Sequence, residues 1–258
     1  MLDLLEFVPA FLLIVTRVSA FFITLPLFSH RTIPARHKIG FAFLLSFLMF
    51  FTVDPPIIEI DGVYFLLIMK EVIVGLTVGL IAMVMMYAIQ VAGGFIDIPM
   101  GFMIANVIDP QTGTQSPLTG GYLYTFALLF LFAIDAHHLL LDGIYYSYQF
   151  IPLEQIFIPF SNENILLHFV KTFTLMFFIA FQMAMPVVGC LFLVDVALGM
   201  IGRAVPQVSV FVIGFPLKIF VGFVILILTM PAFFMVTKYL VQQMVLAMRT
   251  LMQLYGGM

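Results

Sequence analysis

Residues 72–96 form 25 consecutive positions without Asp, Glu, Lys, Arg or His. As a helix rising about 1.5 Å per residue, such a run covers the ~30 Å hydrocarbon core of a bilayer. In lipid a backbone has no water to bond, so a helix that satisfies its own N–H and C=O groups is the structure the run can take. Similar runs occupy 172–194 and 219–237, with 23 and 19 uncharged residues. Shorter apolar stretches lie at 10–28, interrupted by Arg17 and Pro26, at 39–53, and at 121–134.

Composition agrees. Hydrophobic residues make up 64% of the 258 positions and charged residues 9%. A soluble domain averages about 45–50% apolar and about 25% charged. A soluble enzyme, a disordered chain and a disulfide scaffold are excluded, and the lone Cys190 leaves the fold independent of disulfides. The expectation is an all-α, polytopic integral membrane protein, one domain over 1–258 with about six membrane helices of about 20 residues each. A net charge of -3 leaves no basic face for nucleic acid. The acidic start, Met1 to Glu6, and the lack of a small-residue cleavage site predict that the first helix stays in the membrane.

The basic cluster at 30–38 predicts a cytoplasmic loop and the acidic loop at 54–61 an external one. Alternation then places 97–120 inside, 135–163 outside and Arg203 inside. The tail with Lys238 and Arg249 falls outside, against the rule. Gly93-Gly94, Pro99, Pro186 and Pro231 predict broken helices, and two segments look too short to span. Broken backbone at membrane depth is tolerated where protein or a water-filled cavity satisfies it. The chain therefore reads as helical hairpins that line something or pack within an assembly.

No P-loop, zinc-protease or nucleophile-elbow motif is present, so no catalytic residue, cofactor or metal site is expected. His137, His138, Asp135 and Asp142 are the only metal-like group. Adjacent histidines on a helix point about 100° apart, so the group reads as a polar helix end at the membrane surface. Arg17, Lys171 and Lys218 lie inside apolar stretches, where a charge costs about 2.5–3.5 kcal/mol on insertion scales. Lys171 reads as snorkelling from a helix start, and Lys218, after Gly214-Phe-Pro216, as a packed polar contact. Asp195 precedes Arg203 by about 12 Å of helix, so their pairing needs a bend. Gly75 and Gly79 form a GxxxG pair, suited to close approach of another helix.

The most informative segment is 101–117. It starts apolar, turns at Asp109-Pro110, and becomes polar around Gly113. One reading is an interfacial loop. The sharper one is a re-entrant plug, with Phe102, Met103, Ile104, Val107 and Ile108 as a soft apolar seal that blocks ions by dewetting. A secondary transporter using Lys218, Asp195 and Arg203 as coupling charges is the rival, weakened by the lack of matching interruptions in two halves.

Three segments together resemble the FliR family of flagellar export-gate proteins, with injectisome counterparts as a sister group. They are Ser29-His-Arg-Thr-Ile-Pro-Ala-Arg-His-Lys-Ile-Gly40, Gly94-Phe-Ile-Asp-Ile-Pro-Met-Gly101 leading to Asp109-Pro110, and the stretch 197–218 with Arg203, Pro206, Gln207, Gly214, Pro216 and Lys218 in the family's order. The resemblance implies a helical assembly with FliP-like and FliQ-like subunits in the bacterial cytoplasmic membrane, at the flagellar basal body. It implies FlhB-like and FlhA-like neighbours, unfolded proteins as transient substrates, and a plug over Phe102–Pro117. Arg203, Pro206, Gln207, Gly214, Pro216 and Lys218, with Gly75 and Gly79, are then expected to serve assembly rather than transport. Energy for export would come from elsewhere, and no cofactor is implied.

Overall fold

The computed structural model describes residues 6–28, 33–53, 55–102, 117–159, 162–205, 207 and 209–257. Every regular element among them is an α-helix: α1 (Val8–Thr24), α2 (Ala35–Val53), α3 (Gly62–Met100), α4 (Leu118–Ala133), α5 (Ala136–Phe150), α6 (Glu163–Ala204) and α7 (Val210–Tyr255). Helices α2, α3, α6 and α7 are long and apolar enough to cross a membrane. Helices α4 and α5, bent by 76° at Ile134-Asp135, make a fifth span if counted as one. The chain is an all-α polytopic membrane protein, with four to five candidate spans among the described residues where about six were expected. The shortfall is α1, which is apolar but has only 17 residues, about 26 Å of rise.

The predicted breaks fall elsewhere than expected. Helix α3 runs through Gly93-Gly94 and keeps Pro99 in its last turn, α6 contains Pro186, and α7 contains Pro216 and Pro231. A proline removes one backbone bond, a loss that neighbouring groups in a membrane helix can absorb. The chain bends instead at Asp135, the only non-glycine with positive φ among the described residues (56°). Segment 39–53 is not short either: α2 recruits Ala35 to Lys38 as a first turn, exposed at Ala35, Arg36 and His37, and reaches 19 residues. The three longest helices have 39, 42 and 46 residues, roughly twice a bilayer crossing.

The chain divides into two compact units. The first comprises Met1–Met85, Asp135–Phe173 and Gln242–Met258. Its core places α1 against α3, with Leu13, Ile14, Val18 and Phe21 fully buried. Aromatic edges join α1 to α2: Phe11 meets Phe43 at 5.5 Å and Phe50 at 5.7 Å. The second unit comprises Met86–Ile134 and Thr174–Val241. In it α3 and α4 cross where Gly93 faces Gly120 so closely that a Cβ on Gly93 would collide with the Gly120 backbone. Outward faces remain apolar, including Phe177, Phe178, Phe192, Phe220, Ile227 and Leu228.

Candidate functional site

The structure describes the two ends of the segment singled out by sequence, residues 101–102 and 117, and both ends lie in the second unit. Of the expected seal, Phe102 is described. Met103, Ile104, Val107, Ile108, Asp109, Pro110 and Gly113 lie outside the described residues. Helix α3 closes with Gly101 in a left-handed conformation (φ 85°). The Gly101 N–H donates to Ile98 O (3.1 Å) and the Phe102 N–H to Asp97 O (3.0 Å). This is the Schellman pattern, which uses glycine at the position that a Cβ would strain. A Cβ here would also meet the Phe215 ring at 2.6 Å. The Phe102 ring lies 6.1 Å from that of Phe223 on α7.

The returning end is held by the same residue. Helix α4 begins after Pro117, which offers no side-chain cap. The Thr119 N–H donates to both carboxylate oxygens of Asp97, at 3.2 and 3.3 Å. Asp97 is buried, so its charge is placed at the positive end of α4, where an anion is favoured. Its carbonyl holds the departing strand of the segment and its carboxylate the returning one. The Gly94-Phe-Ile-Asp-Ile-Pro-Met-Gly101 motif, with Gly93 just before it, thus builds the base of the segment: Gly93 for the α3–α4 crossing, Asp97 for both ends, Gly101 for the stop.

Two clefts flank this base, of about 440 and 450 Å³, sharing Ile98, Pro99 and Asp195 in their walls. Asp195 on α6 forms an ion pair with Lys218 on α7. The cation expected at a polar contact thus finds an anion eight residues before Arg203, and Arg203 takes no part. Arg203 stands exposed in the last turn of α6, where the helix dipole favours a cation. Gly214 is buried, and a Cβ there would touch Leu198 Cδ1 at 3.0 Å. Pro216 and Gln207 are exposed, and Pro206 lies outside the described residues.

A second polar centre occupies the first unit. Arg17, fully buried on α1, forms an ion pair with Glu71 on α3 through Nε and donates to it again from Nη2 (2.9 Å). Its Nη1 donates to Ser147 Oγ (3.0 Å) and its Nη2 to Ile151 O (2.9 Å). The guanidinium carbon sits 4.0 Å from the Tyr148 ring centroid, a cation–π geometry. Lys70 Nζ lies 2.6 Å from Glu71 and donates to Pro152 O (2.9 Å) and Leu153 O (3.0 Å). Two cations share one carboxylate, and the excess positive charge faces carbonyls at the C-terminal, negative end of α5. Lys70 and Glu71 were missed because the sequence reading used them only as the edge of the 72–96 run. The signal was present: a Lys-Glu pair flanked by apolar residues on both sides.

Gly75 and Gly79 face α1. A Cβ on Gly75 would lie 2.8 Å from the Ala20 Cβ and 3.0 Å from the Phe21 N. One on Gly79 would lie 2.9 Å from Phe21 O. Thr24 Oγ1 donates to Leu76 O (3.3 Å) across this crossing. Lys171 sits eight residues into α6 rather than at its start, and is exposed. Asp135, His137 and His138 bring ligand atoms within 4.8 Å of one another, and the two imidazole rings lie 4.1 Å apart, nearer than the 100° argument suggests. Asp142 is not among them.

Residues 8–244 match the family model described as bacterial export proteins, family 1. The chain is 54% identical over 255 residues to the flagellar biosynthetic protein FliR of Bacillus subtilis, covering 98% of each chain. It is 29% identical to the FliR of Pectobacterium carotovorum (89% of this chain, 87% of that one). The corresponding protein of Escherichia coli is 28% identical (83% and 82%). With a loop base built on the very motif that carries the resemblance, and with the match running nearly end to end, the chain belongs to the FliR family of bacterial export proteins.

Proposed function

We propose that this flagellar biosynthesis component is a non-enzymatic subunit of the flagellar protein-export gate. With FliP-like and FliQ-like subunits it forms a pore in the bacterial cytoplasmic membrane, beside FlhB-like and FlhA-like components at the basal body, and unfolded flagellar proteins pass through. The observation that carries this reading is the 54% identity to a flagellar FliR over 98% of both chains. One family model covers 8–244 without interruption, which supports treating 1–258 as a single export-gate domain.

The mechanism is passive. The apolar stretch 102–108 closes the lumen, and the turn at 111–116 is its hinge. An arriving chain displaces the seal, and flexible Met and Phe side chains close around it. The base held by Asp97 gives the segment two fixed ends from which to move. Deleting 106–116 in the assembled complex should make it leak ions in planar-bilayer recordings. Unchanged conductance would reject the seal. If substitutions across 102–116 instead leave export intact, the chain is a structural adaptor.

An injectisome role is the nearest alternative, and the flagellar names of the relatives weigh against it. A secondary transporter would draw on the Lys218–Asp195 pair in its cleft. It predicts a protein stable alone, with solute-dependent thermal shifts, whereas a gate subunit co-purifies with its partner chains. Lys218→Ala should lower the yield of complex; normal assembly with lost ion coupling would favour the transporter.

A further inference from the structure

Within the first unit, a cleft of about 330 Å³ lies between α5 and the last turns of α7. Its floor is apolar. Gly143 contributes no side chain there, and a Cβ at that position would come within 3.1 Å of the Met248 Cε. Asp142 from α5 and Arg249 from α7 line it, and both are exposed. They are opposite charges on one cleft, yet they form no ion pair with each other, and neither has a hydrogen-bond or ion-pair partner among the described residues. Tyr146 and Gln149 complete the lining, and tyrosine is a residue of the membrane–water interface.

We propose that this cleft binds a zwitterionic phospholipid of the phosphatidylethanolamine type. The phosphate meets Arg249, whose planar fork suits two phosphate oxygens. The ammonium, with three N–H donors, meets the Asp142 carboxylate. The glycerol and the first methylenes of the acyl chains cover Gly143 and Met248. An anionic lipid satisfies Arg249 and leaves its charge beside Asp142. A simple cation satisfies Asp142 and is repelled by Arg249. A ligand carrying both charges a few ångströms apart complements both. The volume, at the lower end of the ~300–1,000 Å³ typical of ligand sites, suits a headgroup and the start of its chains. The inference needs only the membrane assignment, not the gate.

The test uses the full chain in detergent, with dioleoyl-phosphatidylethanolamine, dioleoyl-phosphatidylcholine and dioleoyl-phosphatidylglycerol as probes, read by native mass spectrometry and thermal stability. Phosphatidylethanolamine should be retained about tenfold more tightly than phosphatidylglycerol, the scale of one charge-assisted hydrogen bond. Phosphatidylcholine, which has no N–H to donate, should fall between. Asp142→Asn should abolish the preference, Arg249→Gln should weaken both lipids, and the exchange Asp142→Arg with Arg249→Asp should restore it. Both side chains are exposed, so these variants keep the fold. Gly143→Leu, which fills the floor, should lose the lipid with the charges intact. Equal retention of the lipids, or a preference that survives Asp142→Asn, would overturn the proposal. So would displacement by soluble phosphoethanolamine at the same concentration as the lipid, which would mark a soluble ligand.

Discussion

A buried arginine in an apolar helix is costly unless its charge and donors are satisfied. Arg17 meets that condition through Glu71, Ser147 and Ile151. The network is asymmetric, which sets an order of damage. Removing Glu71 leaves Arg17 and Lys70 buried without an anion. Removing Arg17 leaves Glu71 still paired with Lys70 at 2.6 Å. Glu71→Gln should therefore destabilise by about 3–5 kcal/mol, and Arg17→Leu by clearly less, in thermal melts of the purified protein. Equal losses would mean that Lys70 does not compensate. Asp97 makes a smaller prediction of the same kind. Asp97→Ala orphans the buried Thr119 N–H, at a cost of about 1–3 kcal/mol, whereas Asp97→Asn keeps an acceptor and should retain most of the stability.

At the scale of elements, glycine positions separate crossings from open helix. Gly75, Gly79 and Gly93 sit where two backbones nearly touch. Gly189 and Gly199, inside α6, have open space where a Cβ would go. Gly75→Ala forces α1 and α3 apart and should cost about 1–3 kcal/mol or more. Gly199→Ala should instead raise stability by about 0.5–1 kcal/mol, through helix propensity and a stiffer unfolded chain. Thermal denaturation of the two variants gives opposite signs if the crossing is as tight as the structure has it. The prolines carry a related lesson. Pro186 and Pro231 lie inside continuous helices, while the real bend is at Asp135, where no proline stands.

For the whole molecule the question is what covers the outward faces. Only 11% of the most apolar window of α7 is buried, against 56% for α3. Lipid or neighbouring subunits must meet the rest. Ile227, exposed on α7, tests which. If subunits cover it, Ile227→Arg should lower co-purification with FliP-like and FliQ-like chains by about tenfold, equivalent to ~1.4 kcal/mol, while the chain still inserts. Loss of insertion with normal assembly of what remains would assign that face to lipid.

The fold class was legible because a bilayer imposes one rule on every residue: long uncharged runs must be helices with internally satisfied backbones. The motif at 94–101 was legible as a resemblance, whereas the stop at Gly101 was not: the expected breaks were Gly93-Gly94 and Pro99, and only the left-handed backbone at Gly101 shows where α3 ends. Partners were not legible either. Nothing in the order of residues pairs Arg17 with Glu71, Lys218 with Asp195, or Asp97 with Thr119, because each pair is made across a helix crossing rather than along a helix. Periodicity sets which residues share a face; only packing sets which faces meet. The chain by itself determined helices, membrane and family, and the tertiary structure decided where its few charges find their counterparts.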